Sequence, residues 1–266
     1  MPATTSIGGN TALAWNNYVL TSVLSAQAGG QALPVTNLQI EVGDASTAWQ
    51  TSAGQTHATL YIVPPTTQSL WRAWALCRTN LTPAATVTVT LYNNPALFVW
   101  NASFDGIEPG FGQAVYIGDT DRRGDWCSID INDPGNTDGF LNIPLVYAGP
   151  AWLPLTGLAY ETTFGGDAGI DETISRGGQE YPKFRYDRRR GELVFMGIRQ
   201  SEVLGQLAEL QFAARRGNNI LCVPDVASET ITQEAIYGRV FATADVGFPH
   251  GGADRRSWRA RITERL

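Results

Sequence analysis

The sequence predicts a mainly β protein: an N-terminal β-sandwich of jelly-roll type, then a β-rich domain carrying one amphipathic helix. Three patterns predict it. Asn80–Asn94 alternates strictly, with Val87, Val89 and Leu91 on one side and Thr86, Thr88 and Thr90 on the other, the two-residue period of a half-buried strand. Short apolar runs separated by turn residues recur from Leu33 to Leu155, as in a sandwich. One stretch, Ser201–Arg216, places Val203, Leu207, Leu210 and Ala214 at helical spacing, and Leu204 widens that stripe.

Each element follows from its residues. Residues 1–30 are rich in Ser, Thr, Ala, Gly and Asn and read as an arm or first strand pair ordered by a partner, with Ala12–Leu24 a short strand or helix. Thr56–Val63 reads as a strand that Pro64 and Pro65 stop. Leu70–Cys77 is the next strand. Its Trp71 and Trp74 are three apart and face opposite sides, so at most one joins the core of a half-exposed strand. Trp126–Ile131 is a strand ending in the turn Asp133-Pro134-Gly135-Asn136; a second apolar run follows, then Gly149-Pro150 and Trp152-Leu153-Pro154. Pro150–Pro154 is read as a stiff junction, with the sandwich at 31–155 and the second domain at 156–266. There, Phe164-Gly165-Gly166 and Arg176-Gly177-Gly178 flank a turn-rich stretch, and Lys183–Tyr186 and Glu192–Phe195 read as two strands around an Arg188–Gly191 turn. Ser201 is placed to cap the helix at 201–216, Arg215 and Arg216 suit its C-terminal dipole, and Gly217 closes it. Asn218–Asp225 and Ala235–Ala242 read as buried strands.

Composition narrows the function. Of 266 residues, 43% are apolar and only 17% charged, which suits a folded chain whose surface is partly covered by neighbours. A net charge of −6 argues against nucleic-acid binding. Lys183 is the only lysine, and arginine's planar fork suits interfaces, although a GC-rich genome gives the same bias. Cys77, Cys127 and Cys222 are far apart with no CxxC, so zinc is not expected; the first two read as buried free thiols. The start lacks a signal-peptide pattern, and no apolar run is long enough to span a membrane, so assembly in a cytoplasm is expected.

Asp125–Pro154 resembles a strand pair of the discoidin-like β-sandwiches of bacteriophage tail and baseplate proteins. Val42–Thr51, with a small-residue loop leading to Trp49, resembles the entry segment of discoidin or galactose-binding-like domains; Asn80–Asn94 resembles a central strand of that fold, and the opening segment its closing strands. Glu192–Asp225 is similar to the β-rich domain of phage tail-tip and distal tail proteins, where a strand, a helix and a strand follow in turn. The order differs, because the sandwich comes first here. The resemblance implies a structural protein of the virion, in a phage tail tip or baseplate. It would form a ring or collar with copies of itself, linking tail tube, baseplate hub and fibre proteins.

Chemistry points the same way. His57 reads as a packing or surface residue, and His250 lies in a loop with no obvious partner. No GxSxG, HExxH or phosphate-binding loop occurs, so no catalytic residue and no cofactor is expected. Glu41, Asp44, Asp105 and Glu108 offer carboxylates for glycoside hydrolysis, but no spacing singles out a pair. Asp130, Asn132, Asp133 and Asp138 form a turn; calcium is the alternative reading of that cluster. For the alternative function, a carbohydrate-binding module contacting a host surface glycan, Trp49 and Asp44 are the candidates. Arg188, Arg189, Arg190, Arg255, Arg256, Arg259 and Arg261 are candidates for inter-subunit contact, the C-terminal alternation suiting an edge strand laid on a neighbour.

Overall fold

The computed structural model describes residues 11–15, 23–28, 31–33, 49–50, 56–64, 66–93, 97–104, 112–174, 179–242, 245–247 and 254–265. The chain is mainly β, in several antiparallel sheets. It divides into two compact units: Asn16–Ala151 with Glu229–Ala235, and Met1–Trp15 with Trp152–Ser228 and Ile236–Leu266. Among the described residues, no helix is long and apolar enough to cross a membrane.

The first unit is a sandwich. Its larger sheet contains β2 (Val23–Ala28), β3 (Gln31–Leu33), β5 (His57–Val63), β7 (Thr86–Asn93), β8 (Leu97–Phe104) and β10 (Trp126–Asn132), in the order β3-β2-β5-β10-β7-β8. The smaller contains β6 (Ser69–Cys77), β9 (Ala114–Gly124) and β12 (Leu145–Gly149), in the order β12-β6-β9. Alternation explains the packing: Leu60, Ile62, Val87, Val89, Leu91, Cys127, Ile129 and Ile131 point inward from the first sheet and meet Trp71, Trp74 and Leu76 of the second. Each such burial stabilises by roughly 1.5–3 kcal/mol.

Two expectations change here. Trp126–Ile131 and the apolar run after it do not pair with each other: β10 and β12 lie in different sheets. Trp71 and Trp74 are both buried, at 0% and 1% exposure. The register between β6 and β9 slips between Trp71, opposite Arg122, and Ala73, opposite Ile117. That irregularity returns Trp74 to the inner face. Arg72 fills the resulting bend, donating to the carbonyls of Gly118 (3.2 Å) and Asp119 (3.0 Å). Trp71 Nε1 is satisfied by the Gly124 carbonyl at 3.0 Å. A stack of Trp74 on Trp100, with ring centroids 5.4 Å apart, lines the side where β8 meets β9.

The short segment Glu229–Ala235 joins this unit although it follows most of the other one in sequence. It holds the helical turn Ile231–Glu234. The buried Gln113 side-chain amide donates to the carbonyls of Thr232 and Ala235.

The second unit is one six-stranded sheet with a helix. It contains β1 (Ala12–Ala14), β13 (Thr163–Ile174), β14 (Glu180–Arg199), β15 (Asn219–Val223), β16 (Ile236–Ala242) and β17 (Arg255–Glu264), in the order β1-β15-β16-β17-β14-β13. The N-terminal segment needs no outside partner at Ala12–Ala14, which is buried and paired with β15. The glycine-rich stretch after Phe164 and the arginine run at 188–190 are not turns. They form continuous strands, because Asp167 pairs with Arg188 across the ladder and Phe164 lies over Gly191. β17 is not an edge strand; it is hydrogen-bonded between β16 and β14.

The helix runs through Gln200–Glu202, a π-helical turn at Val203–Leu207, and Ala208–Arg215. Ser201 lies inside it and does not cap it; the N-cap is Arg199, whose main-chain N–H donates to Glu202 Oε2 at 3.1 Å. Glu202 Oε1 also accepts from Trp152 Nε1 (3.3 Å) and the Leu155 N–H (3.2 Å). Gly217, at φ +79°, ends the helix as the sequence predicts. Leu207 and Leu210 face the core with Phe195, Ile220 and Trp258, while Leu204 points away, 72% exposed.

Candidate functional site

The outer face of the larger sandwich sheet carries the most organised set of side chains. Inward alternation of Leu60, Val89, Leu91, Cys127 and Ile129 forces their strand neighbours outward. Register then aligns those neighbours into rows. Trp126 of β10 sits opposite Tyr92 of β7, and Tyr92 opposite Phe98 of β8. Tyr61 of β5 lies one pair further along, opposite Ser128. The Tyr92 and Trp126 rings stack with centroids 3.9 Å apart and planes 11° apart; Tyr61 is tilted against Trp126 at 6.1 Å. Tyr61, Trp126, Tyr92 and Phe98 thus form an aromatic stripe across four adjacent strands, about 14 Å wide at ordinary strand spacing.

Polar rows border the stripe. Ser128 is flanked by Thr90 and then Asn101; Asp130 is flanked by Thr59 on one side and by Thr88 and then Ser103 on the other. Asp130 Oδ1 accepts from the Thr59 hydroxyl at 2.6 Å and lies 3.0 Å from His57 Nε2. The hydroxyls of Thr88 and Ser103 are 2.8 Å apart. A flat apolar strip beside hydroxyls, amides and one carboxylate can take the C–H face of a sugar on the rings and its hydroxyls on the polar rows.

A second polar cluster lies on β9. Hydrogen bonding from Arg122, helped by the Thr120 N–H, holds the Asp119 carboxyl below the usual carboxylate range. Burial pushes the nearby Tyr116 hydroxyl up, and the negative Asp119 adds to this. Arg122 also lies over the Trp100 ring, 5.3 Å from its centroid.

The residues singled out in the sequence are placed variously. The Trp49 main chain pairs with Ile143 in a short β4–β11 ladder (Trp49–Gln50 with Asn142–Ile143). The Trp49 side chain, and the whole of Asp44, Glu41, Asp105, Glu108 and His250, lie outside the described residues. The acidic turn is not one cluster. Asp130 and Asn132 belong to the outer face, whereas the buried Asp133 accepts from the Thr82 N–H (2.8 Å) and hydroxyl (2.5 Å), and Asp138 from Asn80 (2.9 Å). Among the described residues, no group of three or more His, Cys, Asp or Glu is placed to hold a metal ion.

The arginines mostly meet carboxylates of their own chain. Arg188 pairs with Asp167 (2.6 Å), Arg189 with Glu264 (2.6 Å), Arg261 with Glu192 (2.9 Å) and Arg259 with Glu161. Arg255 donates to the Gly197 carbonyl, Arg256 to Gln200 Oε1, and Arg190 is exposed. The stripe itself was missed. Its only sequence signal is that Tyr61, Tyr92 and Trp126 fall on the outward phase of alternating strands; their alignment is set by pairing between distant segments.

No protein-family model and no curated protein sequence matches the chain. Among solved structures, the chain is similar to chitosan-binding module 1 of a chitosanase/glucanase from Paenibacillus sp. IK-5, at 13% identity over 51% of this chain and 99% of that one, with a TM-score of 0.37. It is similar to a Ruminococcus gnavus GH29 fucosidase in complex with fucose, at 11% identity over 52% of this chain and 27% of that one, with a TM-score of 0.35. It is also similar to the enzymatically active domain of tailspike protein 4 of bacteriophage CBA120, at 15% identity over 55% of this chain and 21% of that one, with a TM-score of 0.28.

Proposed function

We propose that the sandwich is a carbohydrate-binding module that holds a surface glycan without transforming it. The observation that carries this reading is the stripe of Tyr61, Trp126, Tyr92 and Phe98 lying beside the hydroxyl, amide and carboxylate rows. The test is a glycan array followed by calorimetry on the full chain. Trp126→Ala removes the centre of the stripe, and affinity for the glycan found is expected to fall at least about tenfold. Wild-type protein that binds no glycan, or a Trp126→Ala variant that binds as tightly, overturns the reading.

A second role is favoured by the other unit. Its β13–β14 ribbon keeps apolar side chains exposed, including Phe184 at 64%. Such surface supports a structural protein that assembles with copies of itself, in a ring or collar of a virion tail tip or baseplate, next to tube, hub and fibre proteins. The bound glycan is then a host-surface contact of that assembly, and discoidin-like is the fold name we attach to the sandwich.

A further inference from the structure

The strands of the larger sandwich sheet contain no Lys, Arg or Glu, and Asp130 is their one aspartate. The chain has 19 Lys and Arg, but in the sandwich strands they lie on the smaller sheet, as Arg72 on β6 and Arg122 and Arg123 on β9. The aromatic stripe gives apolar contact that any sugar ring can use. Discrimination between sugars is therefore left to the polar rows beside it.

Asp130 is fixed for that task. Its side chain is 42% exposed, and Oδ1 is held by the Thr59 hydroxyl (2.6 Å) and by His57 Nε2 (3.0 Å). Among the described residues, no donor reaches its Oδ2. An ionised carboxylate accepts hydrogen bonds and cannot donate them. Sugar hydroxyls donate to it, in bonds stronger than those between neutral groups. A uronate, sialate or sulfate instead sets a second negative charge against Asp130, with no Lys or Arg on the sheet to offset the two. His57 does not reverse the sign, because its protonation only brings the His57–Asp130 pair to zero. At the stripe, Asp125 precedes Trp126 and accepts from the Gln68 N–H (2.7 Å), while Arg123 donates to the Gln68 carbonyl (3.3 Å). These two charges cancel, so that end gives an anion no net attraction either.

Spacing sets the size of the ligand. Trp126 and Asp130 both face outward on β10 and are four residues apart, roughly 13 Å along the strand. One pyranose ring cannot bridge that span. An oligosaccharide lying along β10 can, passing the Ser128 row between them.

We infer that this site selects an uncharged oligosaccharide and rejects anionic ones, with Asp130 as the residue that sets the choice. This rests on the glycan-binding reading above and names its substrate class.

A glycan array on the full chain, sorted by ligand charge, tests it. Calorimetry follows with the neutral oligosaccharide that binds and with oligogalacturonate and sulfated galactan fragments. The neutral ligand is expected to bind at least about tenfold tighter than either anion. Its affinity should not change between low and high salt, and its monosaccharide should bind more weakly. Asp130→Asn keeps the size of the side chain and removes its charge, so the neutral-to-anionic affinity ratio should fall several-fold; Asp130→Lys should reverse the preference, both with unchanged circular dichroism. Hits confined to charged glycans, or a preference that neither substitution shifts, overturn the inference but leave the glycan-binding reading standing. Wild type that binds no glycan of any charge overturns both.

Discussion

The two units bury their sheets differently. In the sandwich, two sheets cover each other, so the inward positions of β5, β7 and β10 are closed and the outward ones are left to aromatic and polar groups. In the other unit, one sheet has one helix as cover, and β13 and β14 run beyond it. Exposed rings therefore have two origins. Tyr92 and Trp126 are outward because strand alternation demands it, while Phe184 is outward because its face has no cover in its own unit.

That contrast can be broken by stability measurements. Trp71→Ala opens a cavity in a closed core and takes the donor from the Gly124 carbonyl; a loss of about 3–5 kcal/mol is expected in urea unfolding. Phe184→Ser should change stability by no more than about 0.5 kcal/mol. If the two costs were alike, the ribbon face would be part of a core and the comparison would fail.

The next effect is on pH dependence. Each unit hides a free thiol, Cys127 in the sandwich and Cys222 in the sheet unit. Burial raises both, Cys222 to about 12 from an ordinary 9.0. Above pH 9 the unfolded chain gives up the Cys222 proton and the folded chain keeps it. The stabilisation is therefore whole below pH 9 and is lost as pH rises toward 12, at about 1.4 kcal/mol per pH unit for one group. Unfolding free energies measured across that range should fall less steeply for Cys222→Ala than for wild type.

The smallest effect belongs to the surface. Arg261 and Glu192 are both about half exposed, so a double-mutant cycle with alanine should give a coupling below about 1 kcal/mol that shrinks in high salt.

Local patterns made much of the fold legible. Val87, Val89 and Leu91 fix the inner face of β7, and Gly217 ends the helix where its left-handed φ is needed. What escaped depends on partners distant in sequence. Lys183–Tyr186 and Glu192–Phe195 are readable as strand within β14, but β13 and the Arg188–Gly191 stretch are glycine-rich and charged and show no apolar alternation; cross-strand pairs such as Asp167 with Arg188 support them instead. The burial of both Trp71 and Trp74 depends on a register slip against β9 that neither residue announces. The stripe combines four strands whose order, β5-β10-β7-β8, no local signal supplies.

The chain's return to the sandwich at Glu229–Ala235 bears on how the molecule is made and how it can be divided. A ribosome must extrude more than two hundred residues before the Gln113 amide can donate to the carbonyls of Thr232 and Ala235. The sandwich, nearly all of it laid down by Ala151, is completed only after most of the other unit has been made. No single scission frees it whole, so a fragment cut at the proline-rich junction carries an unfinished lobe, and an intact one requires splicing residues 229–235 back on.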